Sequence, residues 1–285
     1  MKKDIHPSNY REVVFKDMSC EEPFLMARVR VDSYNATEGD LDKEDGYQCD
    51  LCKNKGQVQY IQEENGAPVE YGRFCKCWKA RSAIRLMKKS GLGNVIKEKT
   101  FERYNATEPW QQALKAGAMA YAKDPSGWFF VGGQSGSGKS HLGAAICRHF
   151  LLAGKAVVYM PWLDDTNQLK TWKKDKEGGK EYTDAMRRYK EAEVLYVDDL
   201  FKTDMKDDAR LPVTGADIRL AYEIFNYRYN NPALLTIVSS EYYAGQLLDI
   251  DEALGGRIIE MAGANSYNVA KERNRNYRLK GVTVL

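Results

Sequence analysis

This sequence of 285 residues has no long apolar run, only three histidines and a net charge of only +3. Each of these features argues against a particular class of protein or binding site. No run reaches the roughly 18 apolar residues that a membrane-spanning helix needs, and no apolar stretch follows the N-terminal Met1-Lys2-Lys3-Asp4. We therefore expect neither a membrane protein nor a secreted one, and we place the protein in the cytoplasm. The three histidines lack a metal-binding spacing, and a net charge of +3 does not by itself indicate a nucleic-acid-binding protein.

Cysteine is also rare, but its distribution is uneven. Of the six cysteines, four fall into two tight pairs, Cys49-x2-Cys52 and Cys75-x-Cys77. Because cytoplasmic thiols stay reduced, such pairs favour a metal site over disulfides, and two pairs joined by a loop can complete a tetrahedral zinc site. Four protein ligands leave no position for catalysis, so we expect a structural Zn²⁺ ion. The alternative is four unrelated cysteines, and the single spacer between Cys75 and Cys77 departs from common zinc ribbons.

From about residue 100 onward the sequence contains short apolar runs that alternate with helix-like stretches. The runs cover residues 128–131, 156–160, 194–197 and 234–238. This alternation is typical of buried parallel strands with crossover helices. We therefore predict an α/β domain with a parallel sheet and flanking helices over residues 96–285, preceded by a small zinc-binding module over residues 1–95.

A glycine-rich loop follows the first apolar run. Residues 133–140 read Gly-Gln-Ser-Gly-Ser-Gly-Lys-Ser, between a predicted strand and a predicted helix. Glycines let backbone N–H groups turn toward phosphate oxygens, and the helix N-terminus adds partial positive charge. The motif, Walker A, predicts that Lys139 reaches the β- and γ-phosphates of ATP and that Ser140 ligates Mg²⁺. The predicted nucleotide-binding residues are Gly133, Gln134, Ser135, Gly136, Ser137, Gly138, Lys139, Ser140 and His141.

Two carboxylates directly follow the run 194–197. As in a Walker B motif, Asp198 is expected to hold the Mg²⁺ shell, and Asp199 to orient or deprotonate the attacking water. The alternative is a solvated acidic turn. At the end of the run 234–238, Ser240 or its neighbour Ser239 is expected to face the γ-phosphate, unless the two serines only terminate the strand.

Two further features concern charge. Arg257 is a candidate for an arginine that completes the ATP site of a neighbouring subunit, the alternative being a surface arginine at a helix start.

Basic residues also cluster in residues 73–103, 170–180 and 271–280. Such clusters can follow a nucleic-acid phosphate backbone, although solvated helix faces look similar.

Together these features resemble the DnaC/DnaI type of replicative-helicase loaders from bacteria and phages. The resemblance covers roughly residues 45–285. It is carried by the four-cysteine module, the P-loop and two further stretches, Thr100-Phe101-Glu102-Arg103-Tyr104 and Ile224-Phe225-Asn226-Tyr227-Arg228-Tyr229 ahead of the strand Leu235-Thr236-Ile237-Val238-Ser239-Ser240. Glu241 stands where the family usually has asparagine.

The resemblance implies an AAA+ ATPase core without a C-terminal helical lid, with ATP and Mg²⁺ as cofactors and Arg257 acting in trans once copies associate on the helicase. It implies a hexameric DnaB-type helicase as partner, contacted through the N-terminal module, and single-stranded DNA, contacted by the core. The implied function is ATP-dependent helicase loading during DNA replication. The alternatives are a related ATPase that regulates transposition and a zinc-bearing nucleotide switch with little hydrolysis.

Overall fold

The computed structural model divides the chain into two compact units, residues 1–85 and residues 86–285. In the first unit it describes residues 10–11, 15–16, 23–24, 29–30, 49, 52, 57–64 and 67–75; in the second it describes residues 88–93, 95–175, 179–206 and 209–279. The boundary falls between residues 85 and 86, whereas we expected it between residues 95 and 96. The reason is that Leu92, only 2% exposed, belongs to the hydrophobic core of the second unit.

The described part of the first unit consists of antiparallel pairs. The shortest are β1 (Tyr10–Arg11) with β4 (Val29–Arg30), and β2 (Phe15–Lys16) with β3 (Pro23–Phe24). The longest is the hairpin of β5 (Gln57–Glu64) and β6 (Ala67–Phe74), paired from Gln57 opposite Phe74 to Glu64 opposite Ala67. Cys52 precedes this hairpin and Cys75 follows it, so the pairing of β5 with β6 brings the two ends of the hairpin and their cysteines together.

The second unit is built on a parallel sheet of five strands. In chain order these are β7 (Trp128–Gly133), β8 (Val157–Pro161), β9 (Val194–Leu200), β12 (Leu235–Ser240) and β13 (Ser266–Val269). Across the sheet the order is β13-β7-β12-β9-β8, with every neighbouring pair parallel. The four predicted strands are confirmed within two residues at each end, except that β9 continues three residues beyond the predicted end at Val197. We did not predict β13, an edge strand in which only Val269 is buried. A two-stranded ladder, β10 (Met205–Lys206) with β11 (Ala209–Arg210), follows β9.

Helices flank the sheet. They are α1 (Val95–Glu98), α2 (Pro109–Lys123), α3 (Lys139–Leu152), α4 (Trp162–Lys174), α5 (Gly179–Glu191), α6 (Gly215–Tyr229), α7 (Ala244–Ile250) and α8 (Glu252–Ala262). Beyond Val269 the described chain forms only the 3₁₀ turns Arg273–Arg275 and Tyr277–Leu279, so that, up to residue 279, no C-terminal lid follows the sheet, as expected. Among the described helices, none combines the length and the apolar character that crossing a bilayer requires.

Both faces of the sheet are covered, because successive side chains of a strand point to opposite faces. In β7, Phe129 and Val131 belong to the hydrophobic cluster that includes residues of α2 and α3, whereas Trp128 and Phe130 belong to the cluster that includes residues of α4, α5 and α6. All four side chains are completely buried. A strand buried on both faces reads as a continuous apolar run, which is why the sequence revealed β7 so clearly.

A fully buried arginine ties α5 and α6 to the sheet. Arg228, in the last turn of α6, donates to the carbonyl oxygens of Tyr189, Lys190 and Ala192 at the end of α5. It also donates to the Leu235 carbonyl and the Thr236 hydroxyl at the start of β12. Burial lowers the pKa of Arg228 to about 9. The Asn-Tyr-Arg-Tyr stretch that contributed to the family resemblance therefore contains a structural clamp.

Candidate nucleotide-binding site

The predicted P-loop lies between β7 and α3, at the carboxyl edge of the sheet, where ligands bind in open α/β folds. Gly133, Gly136 and Gly138 have φ values of 106°, 70° and 91°, a region that favours glycine. Lys139, the first residue of α3, is 4% exposed, and its Nζ donates to the carbonyl oxygens of Gly133 and Gln134 at 2.9 and 2.7 Å. Burial lowers the pKa of Lys139, an effect that nearby Asp199 opposes.

Ser140 and Asp198, separated by 58 residues in sequence, are hydrogen-bonded: the Ser140 hydroxyl donates to Asp198 Oδ1 at 2.8 Å. This is the pair of oxygen groups predicted to hold Mg²⁺, and hydroxyl and carboxylate oxygens fit that hard cation. Asp198 also accepts from the hydroxyls of Tyr196 at 2.7 Å, of Tyr159 at 3.0 Å and of Ser239. Burial, with Asp198 nearby, raises the pKa of both tyrosines, so that their hydroxyls stay protonated and donate.

Asp199 occupies a bulge in the sheet. Val197 pairs with Val238 and Leu200 with Ser240, so that Asp198 and Asp199 together oppose Ser239. Asp199 has a φ of 58°, unusual for a residue other than glycine, and its side chain reaches the cleft described below. Its Oδ2 accepts from Lys202 Nζ at 2.6 Å, and its N–H donates to the Ser239 hydroxyl at 3.0 Å. Bulges beside active sites re-aim side chains, as this one does for Asp199.

Of the two serines at the end of β12, Ser239 is the one that contacts the Walker B pair. Its hydroxyl lies between Asp198 Oδ1 and the Asp199 N–H. The Ser240 side chain is fully buried, donates to the Leu200 carbonyl at 2.8 Å and accepts from the Tyr242 N–H at 3.1 Å. The structure thus favours Ser239 over Ser240, and which serine faces the γ-phosphate stays a prediction. Successive side chains of a strand point to opposite faces of the sheet, so Ser239 and Ser240 lie on opposite faces. The register between β12 and β9 decides which of the two serines contacts the site.

A cleft of about 330 Å³ opens beside the P-loop. Its lining includes Ser135, Gly136, Gly138, Lys139, Ser140, His141 and Asp199, all predicted, together with Lys99, Arg103, Tyr104, Asn105, Lys202, Tyr277 and Arg278. His141 Nε2 lies 2.7 Å from the Thr100 carbonyl oxygen, and its ring meets that of Tyr104 edge-on. Burial lowers the pKa of His141, so the neutral ring donates to Thr100 at neutral pH.

Sequence reasoning missed the part of this lining that comes from residues 99–105 and 277–278. A signal for the first stretch was present, because Thr100–Tyr104 contributed to the family resemblance. The second stretch lies within a basic cluster that we interpreted as a surface for nucleic acid. Nothing in the local pattern shows that residues at the end of the chain meet residues near 136.

Arg257 does not line the cleft of its own chain. It lies on α8, where it donates to the carbonyl of Ala253 in its own helix at 2.8 Å and contacts the rings of Tyr222 and Tyr229 at 5.1 and 5.4 Å. Its buried Nε has no hydrogen-bond partner within the described residues. A role at the site of a neighbouring subunit therefore stays a prediction.

Part of the lysine cluster at 170–180 has a structural role. Lys170 Nζ lies 2.5 Å from Asp217 Oδ1, a carboxylate that is 4% exposed and caps the start of α6. Lys173 lies over the ring of Tyr182. These contacts link α4 to α6 and α5, so the cluster is only partly available to a phosphate backbone.

Three of the four predicted zinc ligands come together in the first unit. The sulfurs of Cys49, Cys52 and Cys75 all lie within 4.8 Å of one another, and Cys49 Sγ is 3.8 Å from Cys75 Sγ. Tetrahedral ligation with Zn–S bonds of about 2.3 Å separates sulfurs by about 3.8 Å, so the donor set and its spacing fit zinc. Cys77, the predicted fourth ligand, lies outside the described residues.

This chain is similar to several proteins of known sequence or structure. No protein-family model matches the sequence. The XkdC protein of the phage-like element PBSX, from Bacillus subtilis, is 31% identical over 252 residues, covering 83% of this chain and 88% of XkdC. The replicative helicase loader DnaC of Escherichia coli K12 is 30% identical over 112 residues, 38% of this chain and 45% of DnaC.

Among solved structures, a crystal structure of the DnaC helicase loader matches with a TM-score of 0.51 at 18% identity, over 63% of this chain and 100% of that chain. At this identity the match shows a shared fold, which is the parallel AAA+ core with flanking helices. The chain therefore belongs to the family of the PBSX protein XkdC.

Proposed function

We propose that this protein is an ATP-dependent loader that places a hexameric DnaB-type replicative helicase onto single-stranded DNA during replication of a phage or phage-like element. The observation that carries the proposal is the hydrogen bond between Ser140 and Asp198, which joins the two Walker motifs at the sheet edge of a DnaC-type core. The names of the relatives, a phage-like element protein and a helicase loader, supply the cellular context.

In this proposal the P-loop binds the phosphates of ATP. The Lys139 ammonium exchanges the carbonyls of Gly133 and Gln134 for phosphate oxygens, and Ser140 and Asp198 hold Mg²⁺. The cation would neutralise charge on the phosphates. Because Tyr159, Tyr196 and Ser239 also bond to Asp198, the carboxylate is held in place before the cation arrives.

Asp199 would orient and deprotonate the attacking water. Its Oδ2 is bonded to Lys202 Nζ at 2.6 Å, and exchange of that lysine for water would free the whole carboxylate to accept a proton. Contact with the helicase, or with a second copy that brings Arg257 to the site, is the event we propose for this exchange. Zinc at Cys49, Cys52, Cys75 and Cys77 would hold the first unit in the form that binds the helicase.

The proposal is tested by co-purification with the replicative helicase of the host, followed by transfer of that helicase to single-stranded DNA. We expect the wild-type protein to capture the helicase hexamer and to deliver it only in the presence of Mg-ATP. Lys139→Ala should capture the helicase but fail to deliver it, because the first unit is unchanged. No capture by the wild-type protein would rule out the loader function while leaving the ATP site untouched.

One observation favours a second candidate, a zinc-bearing nucleotide switch with little hydrolysis. This is the ion pair between Asp199 and Lys202, in which the lysine occupies one oxygen of the carboxylate that is predicted to act as the general base. A switch would retain ATP unchanged on the protein even when helicase and DNA are present. Release of phosphate under those conditions excludes the switch.

A further inference from the structure

The end of the described chain returns to the P-loop. We call residues 276–279 the C-terminal strap. The N–H of Tyr277 donates to the Gly136 carbonyl at 2.9 Å, and the Tyr277 hydroxyl donates to the Asn105 carbonyl. The strap is thus tied both to the P-loop and to the stretch 99–105 that lines the cleft.

The contact with the P-loop depends on a glycine. Gly136 has a φ of 70°, and a Cβ built on it would lie 1.9 Å from Asn276 Oδ1. A side chain at position 136 would therefore displace the strap as well as strain the loop. Asn276 Oδ1 also accepts from the N–H of Arg278 at 3.0 Å, which fixes the backbone that carries this arginine.

Arg278 adds positive charge to a cleft that already has an excess of it. Four other cations line the cleft, namely Lys99, Arg103, Lys139 and Lys202. The single carboxylate of that lining, Asp199, is already bonded to Lys202. Within the described part of the chain, no carboxylate forms an ion pair with Arg278. Cations gathered in this way repel one another unless a polyanion lies between them.

We propose that Arg278 contacts the phosphates of the bound nucleotide, so that the C-terminal strap supplies a binding residue from outside both Walker motifs and from the same chain. The proposal rests on the proposed nucleotide site and names an additional residue in it. Because the strap is bonded to Gly136, it moves together with the loop that cradles the phosphates. In a core without a lid over its described length, the strap thus closes one side of the site.

The test measures binding of Mg-ATP to the full-length protein by titration calorimetry. We expect Arg278→Ala to weaken binding by about tenfold, the effect of losing one charge-assisted hydrogen bond. Arg278→Gln, which keeps the length but not the charge, should behave in the same way, and Arg278→Lys should retain part of the affinity. Arg273→Ala is the matched control, since Arg273 is exposed on the adjoining turn and does not line the cleft.

The outcomes separate this proposal from the nucleotide site as a whole. If Arg278→Ala and Arg278→Gln bind Mg-ATP as tightly as the wild type, or lose no more affinity than Arg273→Ala, the role of Arg278 is refuted and the site stands. If the wild-type protein does not bind Mg-ATP and Lys139→Ala behaves like it, the nucleotide site itself fails, and the role of Arg278 with it. Thermal unfolding without nucleotide verifies that each variant folds.

Discussion

At the scale of single residues, two adjacent carboxylates differ because of their surroundings. Asp198 is 9% exposed and accepts hydrogen bonds from the hydroxyls of Ser140, Tyr159, Tyr196 and Ser239. Asp199, with 27% of its side chain exposed, points into the cleft and contacts Lys202. A carboxylate held on several sides suits a fixed metal ligand, whereas one that faces the cleft can meet water. The geometry thus supports the division of roles that the Walker B motif predicts.

Asp199→Asn tests this division. The amide keeps the size of the side chain but cannot accept a proton, so we expect turnover of ATP, measured as phosphate release with helicase and single-stranded DNA present, to fall about 100-fold or more. Affinity for Mg-ATP should stay near that of the wild type. Asp198→Asn serves as the comparison and should lose Mg²⁺-dependent binding. Undiminished turnover in Asp199→Asn would remove this residue as the base.

At the scale of secondary-structure elements, the site depends on how closely α3 approaches β9. At Gly143 there is no room for a side chain, because a Cβ there would lie 2.4 Å from Tyr196 Cζ and 2.5 Å from its hydroxyl oxygen. That hydroxyl is one of the donors to Asp198. The spacing between helix and sheet is therefore coupled to the Mg²⁺ ligand through a single tyrosine.

Gly143→Ala should disturb both packing and binding. An added methyl group in a packed core costs about 1–3 kcal/mol, and here it also displaces the Tyr196 hydroxyl from Asp198. We expect a lower midpoint of denaturant unfolding and a higher Mg²⁺ requirement for ATP binding. Gly245→Ala, in α7 with open space around its Cα, is the control and should be neutral or stabilising by up to about 1 kcal/mol. If the two variants behave alike, the contact at Gly143 is unimportant.

At the scale of the whole molecule, two units with separate cores carry separate predicted tasks. The first unit has the cysteine cluster, and its described strands are mostly short. The second has a sheet buried on both faces and the nucleotide cleft. A small unit whose described strands are mostly short is expected to depend on a metal for stability, whereas the second unit is not.

Removal of the metal should therefore affect binding of the helicase, which is the task predicted for the first unit, and should leave nucleotide binding by the second unit unchanged. We expect about one zinc per chain by elemental analysis, and we expect a chelator to abolish capture of the helicase while the affinity for Mg-ATP is unchanged. Cys52→Ser should reproduce the effect of the chelator, and Cys147→Ser, at a buried cysteine of α3 in the second unit, is the control. Capture of the helicase by metal-free protein would contradict the role we give to the zinc site.

The parts of this structure that could be predicted are those in which a local pattern has one physical solution. Runs buried on both faces of a parallel sheet are continuously apolar, which identified β7, β8, β9 and β12. The short edge strand β13 alternates polar with apolar residues and left no such signal. Arg228 was noticed as part of a family stretch, but its role as a clamp depends on carbonyl groups of α5 and β12 that no local pattern brings together.

By itself the sequence determined the P-loop, the two acids near the end of β9 and the clustering of the cysteines, because the residues of each feature are consecutive or closely spaced. Only the tertiary structure decided that Ser239 rather than Ser240 meets Asp198, because that choice depends on a bulge between two strands. Only the tertiary structure placed the strap that carries Arg278 beside Gly136, since Tyr277 of the strap bonds to Gly136 and to Asn105, which lie 141 and 172 residues earlier in the chain. Local chemistry thus predicts the ligand, and long-range packing decides which further residues surround the predicted site.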